Sequence, residues 1–370
     1  MRVAVNARFL IPGKLEGLGW YTFELLSRLT RLYPDWEFVL LYDRPHDHYL
    51  LTGDNIRHVV VFPPARHPVL WYLWFEWSLP RALKKIAPDV FFSPDSYLSL
   101  RTPIRTVMVV HDIAYLHYPQ HLPLLVRAYY QFFCPRFFRR ADTLLTISNF
   151  VKKDLLAHFP LDPDNIQVVY NGCREGFKPL RENERAAVRE QYSGGVPYFL
   201  YWGALQPRKN IARLIEAFSS FRSRQTSPVR LLIGGRKAWK TKEAEQAWAA
   251  SPFQEDIVFT GYLPEMELYR VVAAAHAVVY VSLFEGFGLP LVEAMHAEVP
   301  ILSSTVTSLP EVAGDAALLV NPSEVEAIAE GMERLWTDPE LCAVLVASGR
   351  RQRERFSWNQ AARAVGQLLE

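Results

Sequence analysis

The sequence predicts an α/β protein made of two Rossmann-like domains, each built on a doubly wound parallel sheet. The chain has 370 residues, which is longer than a domain with one compact core usually is. Half of its residues are hydrophobic. Short aliphatic or β-branched segments alternate with longer helix-like segments, a pattern typical of parallel strands covered by helices on both faces. The alternation restarts near Tyr198, after a charged and irregular stretch from Arg174 to Gly195. Two domains in tandem follow from that restart.

The individual elements are predicted from apolar runs between turn-forming residues. In the first half, the predicted strands are Arg2–Asn6, Glu37–Tyr42, Ile56–Phe62, Asp89–Ser93, Arg105–His111, Thr143–Ser148 and Ile166–Tyr170. In the second half, they are Tyr198–Trp202, Arg230–Gly234, Ile257–Thr260, Val278–Ser282, Pro300–Ser303 and Ala317–Val320. The clearest predicted helices are Leu18–Tyr33, Leu124–Ala141, Ile211–Arg222 and Val325–Thr337. We therefore predict a first domain over residues 1–175, a linker over 176–195 and a second domain over 196–356.

Composition narrows the possible functions. The formal net charge of +2 argues against a nucleic-acid-binding protein that works through a broad cationic face. Cys134, Cys173 and Cys342 are widely spaced, without a CxxC pair or a metal-site spacing, so we expect reduced thiols in a cytoplasmic protein. The opening residues run directly into a strand, and we identify no export signal there. No uninterrupted apolar stretch of about 18 residues predicts a membrane span.

The first candidate site is the segment SLFEGFGLPLVEAM, residues 282–295, which joins a buried strand to a helix. Pro290 suits the first position of that helix. Backbone N–H groups of the loop and the helix N-terminus can bind an anion, and glycines let the ligand approach closely. The loop residues expected to provide this site are Gly286, Phe287, Gly288 and Leu289.

Two glutamates flank this predicted anion site. Glu285 lies in the loop, and Glu293 lies one turn into the helix. Because each carboxylate can accept two hydroxyl hydrogen bonds, the pair suits a ligand that carries diols on both sides of a diphosphate. The alternative is a surface glutamate and a second one that only favours the helix dipole.

The second candidate site is the segment YWGALQPRKN, residues 201–210, which again joins a strand to a helix. Arg208 offers a planar fork of donors and Lys209 a compact charge, which together suit adjacent phosphates. A solvated basic helix start is the alternative. Cations are electrostatically unfavourable at a helix N-terminus, so an anionic ligand is the natural compensation.

These two segments resemble the retaining glycosyltransferases of family four (group 1, GT-B fold), and the resemblance runs from the first strand to the last helix. Glu285 and Glu293, with seven residues between them, match the family's acidic motif. The resemblance implies that Glu285 contacts the donor sugar's hydroxyls, that Glu293 contacts the ribose hydroxyls, and that Arg208 and Lys209 hold the diphosphate. Many members carry an arginine where this chain has Ala204, so Arg208 would supply that charge.

Smaller matches lie in the first domain and at the carboxyl terminus. Gly17 and Gly19 resemble the family's glycine-rich turn, where the backbone approaches the donor phosphates and the reacting sugar. His111 resembles a histidine that lies near the transferred sugar, although a lone histidine is more often structural. The segments LTISNF (145–150) and VYNG (169–172) match mainly structural family signatures. The helix at 357–370 resembles a closing helix that packs back on the first domain.

The resemblance implies transfer of a glycosyl group from a nucleoside-diphosphate sugar to an acceptor hydroxyl, with retention at the anomeric carbon. The donor would lie in a cleft between the domains, which would close over it with hinges near 172–196 and before the final helix. Glu285, His111, Arg208 and Lys209 would act in catalysis. Cations and a helix terminus can neutralise the leaving diphosphate, so we expect no metal or other cofactor. The D-x-D sequence at Asp162–Asp164 falls in a proline-punctuated segment and is read as a turn.

The sequence leaves alternatives for both the substrate and the class of protein. The His-Asp-Ile and PRKN segments resemble bacterial mannosyltransferases of surface-polysaccharide assembly, which makes GDP-mannose the first donor to consider. A sugar-nucleotide epimerase shares the architecture, and a non-catalytic nucleotide-sugar-binding protein is the non-enzymatic alternative. A nicotinamide dehydrogenase is disfavoured because the segment from Ala7 to Tyr21 lacks G-x-G-x-x-G.

Two segments, 68–87 and 124–141, combine aromatic residues with cations. This combination fits interfacial helices on an anionic inner-membrane leaflet, where a lipid-linked or glycan acceptor would be met. It equally fits two core helices whose cations extend to solvent. Both interpretations stay open at this point.

Overall fold

The computed structural model describes residues 1–235 and 242–370. The chain divides into two compact units. Unit 1 comprises Met1–Gly172 and Ser357–Glu370, and unit 2 comprises Cys173–Phe356. Each unit is described by itself below.

Each unit contains one sheet whose paired strands are all parallel. In unit 1 the strands are β1 (Arg2–Asn6), β2 (Glu37–Tyr42), β3 (Ile56–Val60), β4 (Val90–Ser93), β5 (Arg105–Val110), β6 (Thr143–Thr146) and β7 (Ile166–Val168). In unit 2 they are β8 (Tyr198–Trp202), β9 (Arg230–Gly234), β10 (Ile257–Gly261), β11 (Ala277–Tyr280), β12 (Ile301–Ser304) and β13 (Leu318–Val320). The central strands are buried along their whole length, because helices cover both faces of a doubly wound sheet.

The helices follow the strands in alternation. In the first half they are α1 (Gly17–Leu32), α2 (Pro68–Leu73), α3 (Leu79–Ile86), α4 (Ala114–His117), α5 (Leu124–Arg140), α6 (Asn149–His158) and α7 (Glu182–Ser193). In the second half they are α8 (Ile211–Arg222), α9 (Lys242–Ala250), α10 (Glu265–Ala274), α11 (Leu289–Ala297), α12 (Leu309–Ala313), α13 (Val325–Thr337), α14 (Pro339–Gln352) and α15 (Trp358–Leu369).

Strand order places a switch point in each sheet. The order is β3-β2-β1-β4-β5-β6-β7 in unit 1 and β10-β9-β8-β11-β12-β13 in unit 2. Successive connections therefore run outward in opposite directions from the β1/β4 pair and from the β8/β11 pair. At such a point the connecting loops diverge beyond the carboxyl ends of the strands and leave a crevice where ligands bind. The two switch points are thus the first places to look for a site.

Every predicted strand is present, with ends that agree to within two residues. Two segments differ from expectation. Residues 176–195, predicted as a linker, contain the helix α7 and belong to unit 2. That helix contacts α10, and the side chain of Arg189 donates to the Ala274 carbonyl. Its charged sequence made it look like a linker because few of its residues are buried.

The aromatic segment 68–87 is also more complex than one helix. A π-helical turn, Trp74–Ser78, separates α2 from α3. Trp74 and Phe75 are fully buried, and the Trp74 indole donates to the Val61 carbonyl at 2.7 Å. Other apolar residues of this segment and of α5 are exposed: Val69, Leu73, Trp77, Leu124, Leu125 and Phe132. The segments are therefore partly core and partly surface.

The last helix completes unit 1. Ser357 caps α15 by accepting from the Gln360 backbone N–H, and α15 packs along α1. Glycines permit this packing: a Cβ at Gly366 would lie 2.2 Å from the Tyr33 hydroxyl, and a Cβ at Gly172 would lie 2.2 Å from the Trp358 backbone nitrogen. Both separations are too short for a side chain, so the chain needs glycine at each.

Within residues 1–235 and 242–370, no helix combines the length and the apolar character that crossing a bilayer requires.

Candidate functional site

Both predicted segments of unit 2 lie at its switch point. β8 and β11 are adjacent strands, with Phe199 opposite Ala277 and Leu200 opposite Val278. The chain leaves β8 into the segment that holds Arg208 and leaves β11 into the loop that holds Glu285. The two loops are joined by a backbone hydrogen bond, from the Leu283 N–H to the Arg208 carbonyl at 2.8 Å. The strand order therefore brings together residues that are about 75 positions apart in the sequence.

The side chains of these two loops form one charged cluster. The Lys209 ammonium lies 2.5 Å from Glu285 Oε1, and Arg208 Nη1 lies 3.3 Å from Glu285 Oε2. The Tyr280 hydroxyl accepts from Lys209 at 2.7 Å and donates to Glu285 Oε1 at 2.9 Å. Arg208 also donates to the Phe284 carbonyl at 2.9 Å. The structure thus brings together three residues that the sequence had singled out.

The charge state of Glu285 follows from these neighbours. Burial by itself would raise its pKa, but attraction to Lys209 and Arg208 outweighs burial and holds the pKa at about 2. The carboxylate is therefore ionised at neutral pH, as an acceptor of hydroxyl hydrogen bonds must be. Burial and the nearby Glu285 carboxylate raise the pKa of Tyr280 well above its ordinary value, so this hydroxyl remains a donor.

Two residues that follow β12 hold the glycine-rich loop in place. The Ser308 hydroxyl lies 2.9 Å from the carbonyl oxygens of both Glu285 and Phe287. The Thr307 hydroxyl accepts from the Glu285 N–H at 3.2 Å. Thr307 has a φ of +60°, a conformation that is strained for a β-branched residue. Strain of this kind persists only where the surrounding contacts impose it, here beside the predicted anion site.

Gly288 is required where the loop enters α11. Its φ is +105°, and a Cβ there would lie 2.6 Å from a methyl group of Leu309. The helix then begins at Leu289, with Pro290 in its first turn. Proline fits here because the first N–H groups of a helix have no intrahelical partner.

The second predicted glutamate has different partners. Glu293 is buried in α11. Its Oε1 accepts from Arg174 Nε at 3.0 Å and Nη2 at 2.8 Å, and its Oε2 accepts from the Trp202 indole at 3.1 Å. The Arg174 guanidinium also lies over the Phe177 ring, 5.3 Å from its centre. Glu293 therefore belongs to a neighbouring pair with Arg174, and no hydrogen bond connects it to the Glu285 cluster among the described contacts.

The predicted glycines of unit 1 lie at the start of α1. Both Gly17 and Gly19 lie in the first turn of this helix. A Cβ at Gly19 would lie 2.7 Å from the Phe9 carbonyl oxygen, whereas a Cβ at Gly17 would have no neighbour within 4 Å among residues 1–235 and 242–370. Gly19 therefore has a packing reason within unit 1, and Gly17 has none.

His111 follows β5 and is oriented by two contacts. Its Nε2 lies 2.7 Å from the Pro94 carbonyl oxygen, and its ring meets the Tyr21 ring edge-on with centres 4.7 Å apart. Burial lowers the pKa of His111 below 6.5, so the ring is neutral at pH 7. Because a carbonyl can only accept, Nε2 carries the proton and Nδ1 is left as an acceptor.

A buried polar network at the β1/β4 switch point supports the Pro94 turn. Asp95 accepts from Asn6 at 2.7 Å, from Ser93 at 3.0 Å and from Arg8 Nε at 2.9 Å. Arg8 is itself buried, with its guanidinium 4.1 Å from the centre of the Tyr97 ring. The network fixes the backbone that carries Pro94, and through it the orientation of His111.

Several residues of these sites were missed by sequence reasoning. Tyr280, Arg174 and Trp202 each contact a predicted glutamate, and Asp95 organises the turn beside His111. Tyr280 and Trp202 look like ordinary apolar strand ends, so only the strand order reveals them. Arg174 does carry a signal, since an arginine two residues after the Asn-Gly pair at 171–172 is a cation beyond a strand end.

The Asp162–Asp164 segment forms a turn. Asp162 accepts from the backbone N–H of Asp164 at 3.0 Å, and residues Pro163–Asn165 form a single 3₁₀ turn. The three cysteines are free thiols.

Two protein-family models match the chain. The model described as "Glycosyltransferase Family 4" matches residues 15–177, and the model described as "Glycosyl transferases group 1" matches residues 183–352. Between them they span most of both units.

Individual proteins give consistent similarities. The chain is 29% identical over 356 residues to O-antigen chain mannosyltransferase B of Escherichia coli, with 93% of each chain covered. It is 30% identical over 305 residues to the serotype-specific mannosyltransferase WbdA of Escherichia coli, covering 76% of this chain and 36% of that longer protein. Sucrose-phosphate synthase from Thermosynechococcus elongatus superimposes with a TM-score of 0.79 at 19% identity, covering 99% of this chain and 98% of that one. At this identity the structural likeness establishes the fold.

Proposed function

Because the chain belongs to the group 1, family 4 glycosyltransferases with the GT-B fold, we propose that it transfers a hexose from a nucleoside-diphosphate sugar to an acceptor hydroxyl with retention at the anomeric carbon. Two relatives are named as mannosyltransferases, one of them for the O-antigen chain. GDP-mannose is therefore the first donor to test, and a bacterial surface glycan or lipopolysaccharide is the first acceptor class. Retention rests on the family resemblance alone.

The cluster of Arg208, Lys209 and Glu285 at the β8/β11 switch point carries the proposal. Negative charge develops on the departing diphosphate as the glycosyl bond breaks, and fixed cations beside a helix start stabilise that charge. Both cations are already held in place by Glu285, and the Phe284 carbonyl and the Tyr280 hydroxyl also hold Arg208 and Lys209 respectively. They therefore need little reorganisation. These cations and the amides of residues 286–289 can neutralise the leaving group, and the proposed reaction needs no metal.

The acids and His111 would orient the donor. Glu285 is ionised and accepts hydrogen bonds, which suits contact with sugar hydroxyls. Glu293 is held by Arg174 and Trp202, and it would contact the ribose hydroxyls from the neighbouring position. His111 would accept a hydroxyl hydrogen bond through Nδ1, since Nε2 is committed to the Pro94 carbonyl.

Substitution of Arg208 tests the function directly. Arg208→Ala should lower kcat/KM for the nucleotide sugar by roughly 10²–10³, because one preorganised donor to the leaving group is lost. Arg224→Ala is the matched control, since Arg224 pairs with Glu326 on the exposed surface of unit 2. The donor is first identified by the thermal stabilisation that each member of a nucleotide-sugar panel produces.

The assay is run with and without acceptor, and the products are identified by chromatography and NMR. Transfer with retention supports the proposal. An epimerised sugar nucleotide without acceptor, or binding without any turnover, would replace it with the epimerase or the binding protein. Wild-type turnover in Arg208→Ala would remove Arg208 from the mechanism.

We also propose that unit 1 meets its acceptor at an anionic membrane surface. α2 and α5 border a shallow apolar groove of about 320 Å³, lined by Pro68, Val69, Tyr72, Leu125, Ala128, Tyr129, Phe132 and Phe133. Leu124 is 81% exposed and Phe132 52% exposed. Arg81 and Arg101 lie 5.3 and 4.4 Å from the centre of the exposed Trp77 ring. Exposed apolar side chains beside cations favour binding to a membrane surface that carries negative lipid head groups.

A further inference from the structure

Two histidines and an aspartate form a separate cluster in unit 1. His117 ends α4, whereas Asp154 and His158 lie one turn apart on α6, so that both face the same side of the helix. His117 Nε2 lies 3.0 and 2.9 Å from the two carboxylate oxygens of Asp154. His158 Nδ1 lies 3.3 Å from Asp154 Oδ1. None of the three residues takes part in the donor site proposed above.

Two of the three separations between the ligand atoms are close to those of a small tetrahedral metal site. Zn²⁺ binds histidine nitrogen and carboxylate oxygen at about 2.0–2.2 Å, and a tetrahedral angle then separates neighbouring ligand atoms by roughly 3.3 Å. The Asp154 carboxylate lies within 0.4 Å of that separation from each histidine nitrogen. One atom from each of the three side chains lies within 4.8 Å of the other two. A small movement of the rings would bring all three atoms into one coordination sphere.

The three side chains differ in solvent exposure as the ligands of a metal site that is open on one side would. The Asp154 side chain is 8% exposed, and those of His117 and His158 are 31% and 39% exposed. A buried carboxylate is costly without compensating positive charge, and a divalent cation supplies it. The exposed side leaves a fourth position for water, which three protein ligands allow.

Proton placement is compatible with metal binding. His158 Nδ1 lies 2.8 Å from the Asp154 backbone carbonyl, and His117 Nε2 faces the carboxylate, so both nitrogens carry protons in the metal-free form. On binding, each of these nitrogens would give up its proton to solvent, so that its lone pair can coordinate the metal. The metal would then replace two hydrogen bonds by two coordinate bonds.

We propose that His117, Asp154 and His158 bind one divalent transition-metal ion of the Zn²⁺ class, which fastens α4 to α6. The two His ligands and one carboxylate favour Zn²⁺, Co²⁺ or Ni²⁺ over Mg²⁺, which prefers oxygen ligands alone. The site stabilises unit 1 and takes no part in glycosyl transfer.

Metal binding is measured on the full chain without a histidine tag, after chelation and dialysis. Isothermal titration with ZnCl₂ should give one site, with MgCl₂ giving none. Co²⁺ should give a visible spectrum without sulfur-to-metal charge transfer, which excludes the cysteines as ligands. His158→Gln and His117→Gln should each weaken binding by at least about tenfold. His48→Gln is the control, an exposed histidine elsewhere in unit 1.

Zn²⁺ should also raise the Tm of the wild-type chain but not that of the two ligand variants. Absence of stoichiometric binding overturns the proposal. So does binding that both variants retain, or binding that Cys173→Ser or Cys342→Ser removes. Because these readouts need no donor or acceptor, they stand or fall independently of the glycosyltransferase assay.

Discussion

At the scale of single residues, the fixed charge of Glu285 links stability to pH. Its pKa of about 2 lies below the ordinary value of 4.5. A carboxylate whose pKa falls on folding stabilises the folded state above its unfolded pKa, and that contribution is lost as the pH drops through the folded pKa. The relevant window is therefore between about pH 4.5 and about pH 2. At neutral pH the shift corresponds to on the order of 3 kcal/mol.

Glu285→Gln should consequently lower the free energy of unfolding most at neutral pH. The substitution removes the carboxylate and leaves the buried Lys209 and the partly buried Arg208 without their anionic partner, which is costly. The difference from wild type should narrow as the pH falls from about 4.5 to about 2, because protons then bind the Glu285 carboxylate in the unfolded wild-type chain and favour unfolding. Urea unfolding at a series of pH values measures this, with the exposed Glu330→Gln as control. A difference that stays constant across the window would show that Glu285 is not held ionised.

The contact between Lys209 and Glu285 limits the use of Lys209→Ala as a test of catalysis. Lys209→Ala would test catalysis directly only if the protein kept its fold. Lys209 is buried against Glu285, so its removal leaves a buried carboxylate with only Arg208 as its cation. Breaking such a pair typically costs about 3–5 kcal/mol. Arg208 is more exposed and is therefore the cleaner test of catalysis.

Single residues were predictable where their chemistry matched a loop position. Arg208, Lys209 and Glu285 follow strand ends, and a charge there is visible in the sequence. Tyr280 was not predictable, because its hydroxyl contacts Glu285 only through the side-by-side arrangement of strands. The pairing of Glu293 with Arg174 was equally hidden, since 119 positions separate them.

At the scale of elements, the two glycines at the start of α1 differ in their surroundings, so packing and ligand binding can be tested separately. Gly19 touches the Phe9 carbonyl, so any side chain there must displace the backbone. At Gly17, by contrast, a Cβ would contact none of the residues that the structure describes. If glycine is needed at Gly17, the reason lies in a ligand.

Gly19→Ala should therefore destabilise the chain and lower activity together. Gly17→Ala should keep or slightly raise stability, because alanine is favoured over glycine in a helix by up to about 1 kcal/mol. Under the proposed function it should nevertheless raise the KM for the nucleotide sugar, because the family resemblance implies that the donor phosphates approach this turn. Thermal unfolding and donor kinetics of the two variants separate the cases. An unchanged KM in Gly17→Ala would leave Gly17 without a role in donor binding.

Elements as such were the most predictable part of the chain. Apolar runs such as Tyr198–Trp202 are buried on both faces and give an unambiguous strand pattern. α7 was missed because its exposed charged residues hide a short buried stripe. The π-helical turn at Trp74–Ser78 could not be foreseen, because an inserted turn leaves the local composition unchanged.

At the scale of the whole molecule, the exposed aromatic surface of unit 1 predicts membrane association. The chain should co-sediment with vesicles that contain anionic lipid and much less with neutral vesicles, and salt should weaken the binding. The double substitution Leu124→Glu and Leu125→Glu should release it, because both side chains are exposed on α5. Val344→Glu is the matched control, an equally exposed apolar residue of unit 2. Equal binding to neutral vesicles, or no effect of the double substitution, would argue that the surface serves another purpose.

The composition of unit 1 from two separate stretches also affects how the protein can be made. Residues 173–356 leave the ribosome before the final helix does, so the middle of the chain can fold while the amino-terminal part still lacks α15. Multidomain proteins commonly complete their domains in order of synthesis, and this chain reverses that order. Until Trp358 and its helix arrive, the surface of α1 that they cover stays open to chaperones or to other nascent chains. A nick close to the last residue would therefore harm the half of the protein that was translated first.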